Sequence, residues 1–378
     1  MNAFDAPPKP NLALIIDAYG WAFDNIAKQI KKHLSSSFCI DIITLNELSE
    51  LHYDSFAEHG TVKSLVRPNA LGRLLLIAPK YDIVHFFYKE MFAAIAYGAE
   101  VPALVRYART LGLSVDYLID SARSSTVFTT AIYDHEASDV DSLNIRSKSF
   151  SRLIDSYIVS SNKLYSIYSQ HATLIPPSKI ISDGVDFAKF FPIHLSRLGQ
   201  VRDRDLIVGW AGNSKWGDGT TDHKGYHTIL KPAILGLQQQ GFRVHLEVQD
   251  RNDTYIPLEE MVHYYAKLDV YVCVSDAEGT PNPVLEAMAC GVPIISTDVG
   301  IVGELMGTLQ SQFILTERSI KSLQRALIII LQTPGLLSSL SSENLSSITS
   351  WSWHRQADKF RTFFLDALHE RAKRAAEQ

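Results

Sequence analysis

The sequence predicts an α/β protein of two doubly wound, Rossmann-like domains, each a parallel sheet covered on both faces. Three observations predict it. Short apolar runs alternate with longer stretches of helical periodicity. Those runs lack strict apolar–polar alternation, as strands buried on both faces do. The rhythm also restarts after a polar stretch, LSRLGQVRDRD, in a chain of 378 residues that exceeds one ordinary core.

In the first half, Leu12–Ile16 reads as a strand, followed by a turn at Tyr19-Gly20. Ala22–Leu34 then reads as a helix, with Ile26, Ile30 and Leu34 at i, i+4 and i+8. Cys39–Leu45, Asp82–Phe87, Thr126–Tyr133 and Tyr157–Ser160 read as further strands, and Asn162–Ser169 as a helix. Ile180 to Arg204 reads as the interdomain connection. In the second half the strands fall at Leu206–Ala211, Val244–Val248, Val270–Val274 and Pro293–Ser296. The serine-rich stretch 338–350 reads as a loop and helix-cap region. Trp351 to Gln378 reads as an amphipathic helix whose Phe360, Phe363, Phe364 and Leu368 must pack on something, either the second domain or, crossing back, the first.

Composition narrows the function classes. Hydrophobic residues make up 46% and charged residues 20%, which is globular. A net charge of −5 offers no strong positive field for nucleic-acid phosphates. Cys39, Cys273 and Cys290 lie in or beside apolar runs without C-x-x-C spacing, so they read as buried small hydrophobes, and a reducing cytosol fits. MNAFDAPPKPN lacks the order of a signal peptide, and no apolar stretch reaches the length of a membrane span. The expected location is the cytoplasm. Lys28, Lys31, Lys32 and His33, with Trp21, Phe23 and Ile26, would also suit a helix resting on an anionic membrane surface, although an ordinary sheet-covering helix reads the same way.

The chemistry concentrates in EGTPNPVLE, residues 278–286. The loop follows the strand ending at Val274, the end of an open α/β sheet where ligands bind. Pro281 and Pro283 suit a loop and a first helical turn. From Val284 the chain reads as helical until Gly291, with Glu286 in the first turn and Glu278 on the preceding loop. A diphosphate fits the N–H groups of such a turn. A carboxylate there could accept bonds from a vicinal diol such as a ribose. The pair reads as a clamp for a sugar–diphosphate–nucleoside; alternatively Glu286 complements the helix dipole and Glu278 is solvated.

Glu278-Gly279-Thr280-Pro281-Asn282-Pro283-Val284-Leu285-Glu286, followed by Ala-Met-Ala-Cys-Gly-Val-Pro, resembles the E-x7-E segment of the retaining glycosyltransferase family 4, which has the GT-B fold. Ile181-Ser182-Asp183-Gly184-Val185-Asp186 with Phe190-Phe191-Pro192 resembles that family's interdomain connection. Val208–Gly212 with His223-Lys224-Gly225 resembles its donor-phosphate element, and Ser160–Leu164 the last strand and helix of its first domain. The matches run from about residue 157 to 305, and the first 150 residues agree only in rhythm.

The resemblance implies two Rossmann-like domains facing across a cleft. Residues 1–185 would be the acceptor-binding domain and 186–350 the nucleotide-sugar domain, with 351–378 a helix packing back on the first. It implies a metal-independent hexosyltransferase working with retention and no cofactor beyond its nucleotide-sugar donor. The acceptor would be a glycan or lipid-linked glycan. Glu286 would hold the donor ribose, Glu278 the hexose region, and Lys224 would neutralise the diphosphate. Gly279, Thr280, Pro281, Asn282, Pro283, Val284 and Leu285 would line the donor. Where the family carries an Arg, this chain has Asn213, with Lys215 beside it. The segment SKWGDGTTD before His223 is long and leaves the reach of Lys224 open. In the first domain Gly20 could let backbone approach a phosphate. Tyr133 and Asp134 stand where the family has His-Asp, and His135 follows. His135 or Tyr133-Asp134 would then border the transferred sugar, whereas His85, inside DIVHFF, reads as a core histidine. No His/Cys cluster of ligand spacing offers a metal site. Alternative functions are a sugar-nucleotide epimerase of similar fold and a catalytically silent nucleotide-sugar- or glycan-binding partner.

Overall fold

A computed structural model describes residues 8–49, 68–87, 102–133, 140–216, 221–254 and 256–377. The chain forms two compact units, the first made of residues 1–181 and 356–378, the second of residues 182–355.

The first unit holds a parallel six-stranded sheet in the order β2-β1-β3-β4-β5-β6. Its strands are β1 Asn11–Ile16, β2 Cys39–Thr44, β3 Ile83–Phe86, β4 Val127–Ile132, β5 Ser156–Val159 and β6 Lys179–Ile180. Leu12 to Ile16 are fully buried, which accounts for the absence of alternation in their sequence. The helix Ala22–Leu34 lays Ile26, Ala27, Ile30 and Leu34 into the unit and leaves Lys28, Lys31 and Lys32 outside. Its Phe23 stacks on Phe87, with ring centroids 5.9 Å apart.

The helix Trp353–Ala376 contributes its residues from 356 onward to this unit. Phe360, Phe363 and Phe364 are buried around His85, with ring centroids 6.2, 6.1 and 5.2 Å from the imidazole. Lys179 pairs with Asp366 at 2.8 Å, and Arg371 donates to the carbonyl of Arg123 at 3.1 Å. His85 is a core histidine: its Nδ1 lies 2.9 Å from Thr129 Oγ1, and burial pushes its pKa down to about 3.

The second unit holds a parallel five-stranded sheet, order β11-β10-β9-β7-β8. The strands are β7 Leu206–Gly212, β8 Val244–Asp250, β9 Val270–Cys273, β10 Ile294–Thr297 and β11 Ile314–Leu315. Strand order reverses between β7 and β9, so the loops leaving their carboxyl ends open at the switch point where such sheets bind ligands. Ahead of this sheet, Val185 donates to Trp351 O at 2.8 Å and accepts from Trp353 N–H at 3.1 Å. Gly184 is needed there, because a Cβ would sit 2.6 Å from Trp353 N.

Two expectations from composition are corrected. The serine-rich stretch is a helix, Leu336–Ser347, continued by a 3-10 turn, Ile348–Trp351. Leu337, Leu340, Ser341 and Asn344 line its buried side at i, i+3, i+4 and i+7, while Ser338, Ser339 and Ser342 point outward. Asn344 Nδ2 fastens it by donating to Val292 O at 3.0 Å and Gln310 Oε1 at 2.8 Å. Cys273 and Cys290 are buried, but Cys39 is exposed because it opens β2, an edge strand. No single helix among the described residues is long and apolar enough to cross a membrane.

Candidate functional site

The site grows from the carboxyl end of β9. Residues Val270 to Ser275 are buried, and Asp276 is the first to emerge. The loop bends back through side-chain bonds to backbone. Thr297 Oγ1 donates to Ser275 O at 2.6 Å, and Ser275 Oγ donates to Glu278 Oε1 at 2.7 Å. The carboxylate of Glu278 is thereby aimed at one partner, Lys224, whose Nζ lies 2.5 Å from Oε1. Lys224 also stands 5.0 Å from the centre of the Trp216 ring, a cation–π distance. Despite the long segment before it, Lys224 reaches Glu278 and Trp216.

The loop carrying Lys224 is stitched to the β9 loop. Arg318 Nε donates to Val274 O at 2.8 Å, and its Nη2 donates to Asp222 O at 2.6 Å. Asp276 N–H donates to His223 O at 2.9 Å, and the two side chains meet at 3.1 Å. Gly225 follows with φ of 67°, and a Cβ there would lie 2.4 Å from Val274 O. Only glycine allows both the left-handed turn and this approach.

The helix expected to start at Val284 spans Asn282–Ala289, so Glu286 falls in its second turn rather than its first. The shift arises because Pro281 O accepts from Val284 N–H at 2.9 Å and from Leu285 N–H at 3.4 Å. Pro283 has no N–H. The first turn thus offers an anion the amide of Asn282 and little else, fewer donors than the motif suggests. The Asn282 side chain is engaged elsewhere, its Nδ2 donating to Asp183 Oδ2 at 3.0 Å. Thr280 Oγ1 accepts from Asp183 N–H at 3.3 Å. Asp183 is buried, and burial, opposed by the Asn282 bond, pushes its carboxyl up to about 7. Glu286 is half-buried and accepts from Tyr265 Oη at 2.6 Å through Oε2. Desolvation, opposed by the Tyr265 bond and the charge of Lys189, pushes it up to about 7 as well. Gly279, Pro281, Val284 and Leu285 are buried and give the loop its shape.

Asn213 and Lys215 lie past β7. Asn213 Oδ1 accepts from Lys215 N–H at 3.0 Å and from Asn252 Nδ2 at 2.7 Å, which makes it a turn-former. Asp250 completes the turn, accepting from Ser214 N–H at 3.2 Å. The side chain of Lys215 is exposed.

In the first unit, the amide of Gly20, a residue that could let backbone approach a phosphate or simply form a tight turn, donates to the buried Asp24 Oδ2 at 2.7 Å, which also accepts from Lys28 at 2.7 Å. A carboxylate holds the N–H that an anion would need. Tyr133 packs between Phe23 and Phe87 with centroids 5.7 and 6.2 Å away. Asp134 and His135 lie outside the described residues. Sequence reading missed Tyr265, Arg318, Trp216 and Asp183 as supports of the site. Asp183 and Trp216 stood inside segments already singled out; Tyr265 and Arg318 carried no local signal.

Residues 246–345 match the family model described as glycosyl transferases group 1. A stretch is 40% identical over 53 residues to the O-antigen chain mannosyltransferase B of Escherichia coli, covering 14% of this chain and 14% of that protein. The matched stretch thus spans about a seventh of that relative. Among solved structures, the sucrose-phosphate synthase of Thermosynechococcus elongatus superposes with a TM-score of 0.66 at 15% identity, covering 96% of this chain and 100% of that one. Anabaena HepE, in complex with UDP and glucose, superposes with a TM-score of 0.62 at 13% identity, covering 94% and 100%. The fold is GT-B, a pair of Rossmann-like domains.

Proposed function

We propose that this chain is a retaining glycosyltransferase. It moves a hexose-type sugar from a nucleoside-diphosphate donor to a glycan or lipid-linked acceptor in bacterial-type surface polysaccharide assembly, without a metal. The observation that carries the reading is the Lys224–Glu278 pair, 2.5 Å apart at the switch point of the second sheet, one loop ahead of Glu286. The group 1 match over 246–345 spans both glutamates, one named relative is a mannosyltransferase, and HepE is seen with UDP and glucose.

In this reading Glu286 accepts from the ribose hydroxyls and Lys224 meets the diphosphate. The bond between the anomeric carbon and the leaving phosphate oxygen breaks. Negative charge builds on that oxygen and is met by Lys224 and the Asn282 amide, fixed donors in a partly dry site. The acceptor hydroxyl attacks from the same face, and its proton passes to the departing phosphate oxygen, so no protein nucleophile is needed and configuration is retained. Glu278 orients Lys224 and then faces the hexose. The first unit supplies the acceptor site. Protein at the cytoplasmic membrane face, with the basic side of helix Ala22–Leu34 outward, suits a lipid-linked acceptor.

The test is a panel of nucleotide sugars screened for thermal stabilisation, followed by turnover with Glu286→Ala and Lys224→Ala. A ligand bound by the native state alone raises Tm. The reading is lost if no nucleotide sugar stabilises the protein, or if both variants transfer sugar normally. Binding without transfer to any acceptor would favour the silent-partner alternative, which the uncharged Asn213 in place of the family's Arg supports.

A further inference from the structure

We propose that Tyr265 is a positioning residue: its hydroxyl occupies one oxygen of Glu286 and orients the carboxylate so that its other oxygen serves a ligand's hydroxyl pair. The inference rests on the reading of Glu286 given above.

Tyr265 ends the short helix Met261–Tyr265 and is 0% exposed. Its ring meets Phe190, Tyr264 and Tyr271 edge-on, at centroid distances of 6.0, 5.3 and 6.0 Å. Such a ring has one place for its hydroxyl, 2.6 Å from Glu286 Oε2. Burial, and then the charge of Glu286, hold the phenol well above its usual range, so it donates at any working pH. A buried phenol donating to a carboxylate is a charge-assisted bond, and it favours the ionised acid.

Among the described residues, Tyr265 touches the Glu286 carboxyl, and Lys189 from the connection and Cys290 from the end of its own helix interact with it electrostatically. Cys290, pushed up to about 12 by burial, stays a thiol. Lys189 is shared with Glu259 at 2.9 Å and lends part of its charge. Glu286 therefore changes charge near neutrality while Tyr265 and Cys290 keep their protons. Protonation would turn one of its oxygens into a donor and strip the charge from the other, weakening its hold on a diol.

The experiment reads the titration of Glu286 directly. Infrared difference spectra of the whole protein against Glu286→Gln would isolate its protonated carbonyl band from pH 5 to 9. The expected midpoint lies near 7 in the parent and about one pH unit higher in Tyr265→Phe. Replacing Tyr265 by 3-fluorotyrosine keeps the shape, strengthens the donor and should move the midpoint down, which covers a Tyr265→Phe protein that fails to fold. UDP-glucose affinity by calorimetry should fall in parallel, about fivefold at pH 7 in Tyr265→Phe with Tm nearly unchanged. A Glu286 midpoint that ignores both replacements overturns the proposal. Shifted midpoints in a protein that binds no nucleotide sugar would uphold the Tyr265–Glu286 coupling and remove the donor reading alone.

Discussion

The side-chain amide of Asn282 donates to the buried carboxylate of Asp183 at 3.0 Å, joining two segments 99 residues apart in sequence. The Asp183 amide returns a bond to Thr280 Oγ1 at 3.3 Å, so the loop between Glu278 and Glu286 is latched to the chain just ahead of the second sheet.

That latch makes stability depend on pH. The Asp183 carboxyl has a folded value of about 7, above the ordinary 3.8 of the unfolded chain. Its contribution is whole below pH 4, where both states hold the proton. It drains as pH rises towards 7, because the unfolded chain ionises first. Asp183→Asn can still accept from Asn282 and has no charge to bury. Melting temperatures should diverge, the variant gaining about 2–3 kcal/mol over the parent between pH 5 and pH 8. Glu286 contributes a slope of the same sign to both proteins and cancels. Parallel melting curves would remove the buried acid from the account.

Gly225→Ala should damage the site without touching a ligand. The new Cβ would lie 2.4 Å from Val274 O, at a φ that L-residues rarely adopt. A loss of about 1–3 kcal/mol is expected. Nucleotide-sugar affinity should fall along with Tm, because the loop that moves carries Lys224.

Lys224→Ala should lower turnover about 100-fold while changing stability little, because the pair with Glu278 is partly exposed. Glu278→Gln, which keeps the size of the partner and removes its charge, should cost less in donor binding than in rate. Measured kcat and KM for the two variants separate these outcomes.

Phe364→Ala should destabilise the first unit by about 3–5 kcal/mol. The ring is 0% exposed, 5.2 Å from His85 and 5.9 Å from Phe38. Chemical denaturation should show this loss, and the transition of the second unit should stay in place.

The strands were legible because burial on both faces leaves an unbroken apolar run, and the observed bounds agree to within a residue or two at Asn11–Ile16, Leu206–Gly212 and Val270–Cys273. The helix Asn162–Ser169 was legible in full. The helix Leu336–Ser347 was misread because serine composition spoke louder than the spacing of Leu337, Leu340 and Asn344, which alone reports the buried side. The onset of helix Asn282–Ala289 was set by a carbonyl, Pro281 O, that capping rules do not single out. Within the site, Glu278 and Lys224 stand 54 residues apart, so their contact has no local trace in the sequence. Arg318 and Tyr265 were silent for a related reason: each acts on backbone or side chains brought close only by the sheet, through bonds at 2.8 and 2.6 Å.

Because Phe360, Phe363 and Phe364 complete a sheet whose strands lie within the first 180 residues, the earlier unit cannot finish until the later one has left the ribosome. The nascent chain would carry an aromatic-lined gap beside His85 throughout synthesis, a surface suited to a chaperone, while the second unit assembles on time.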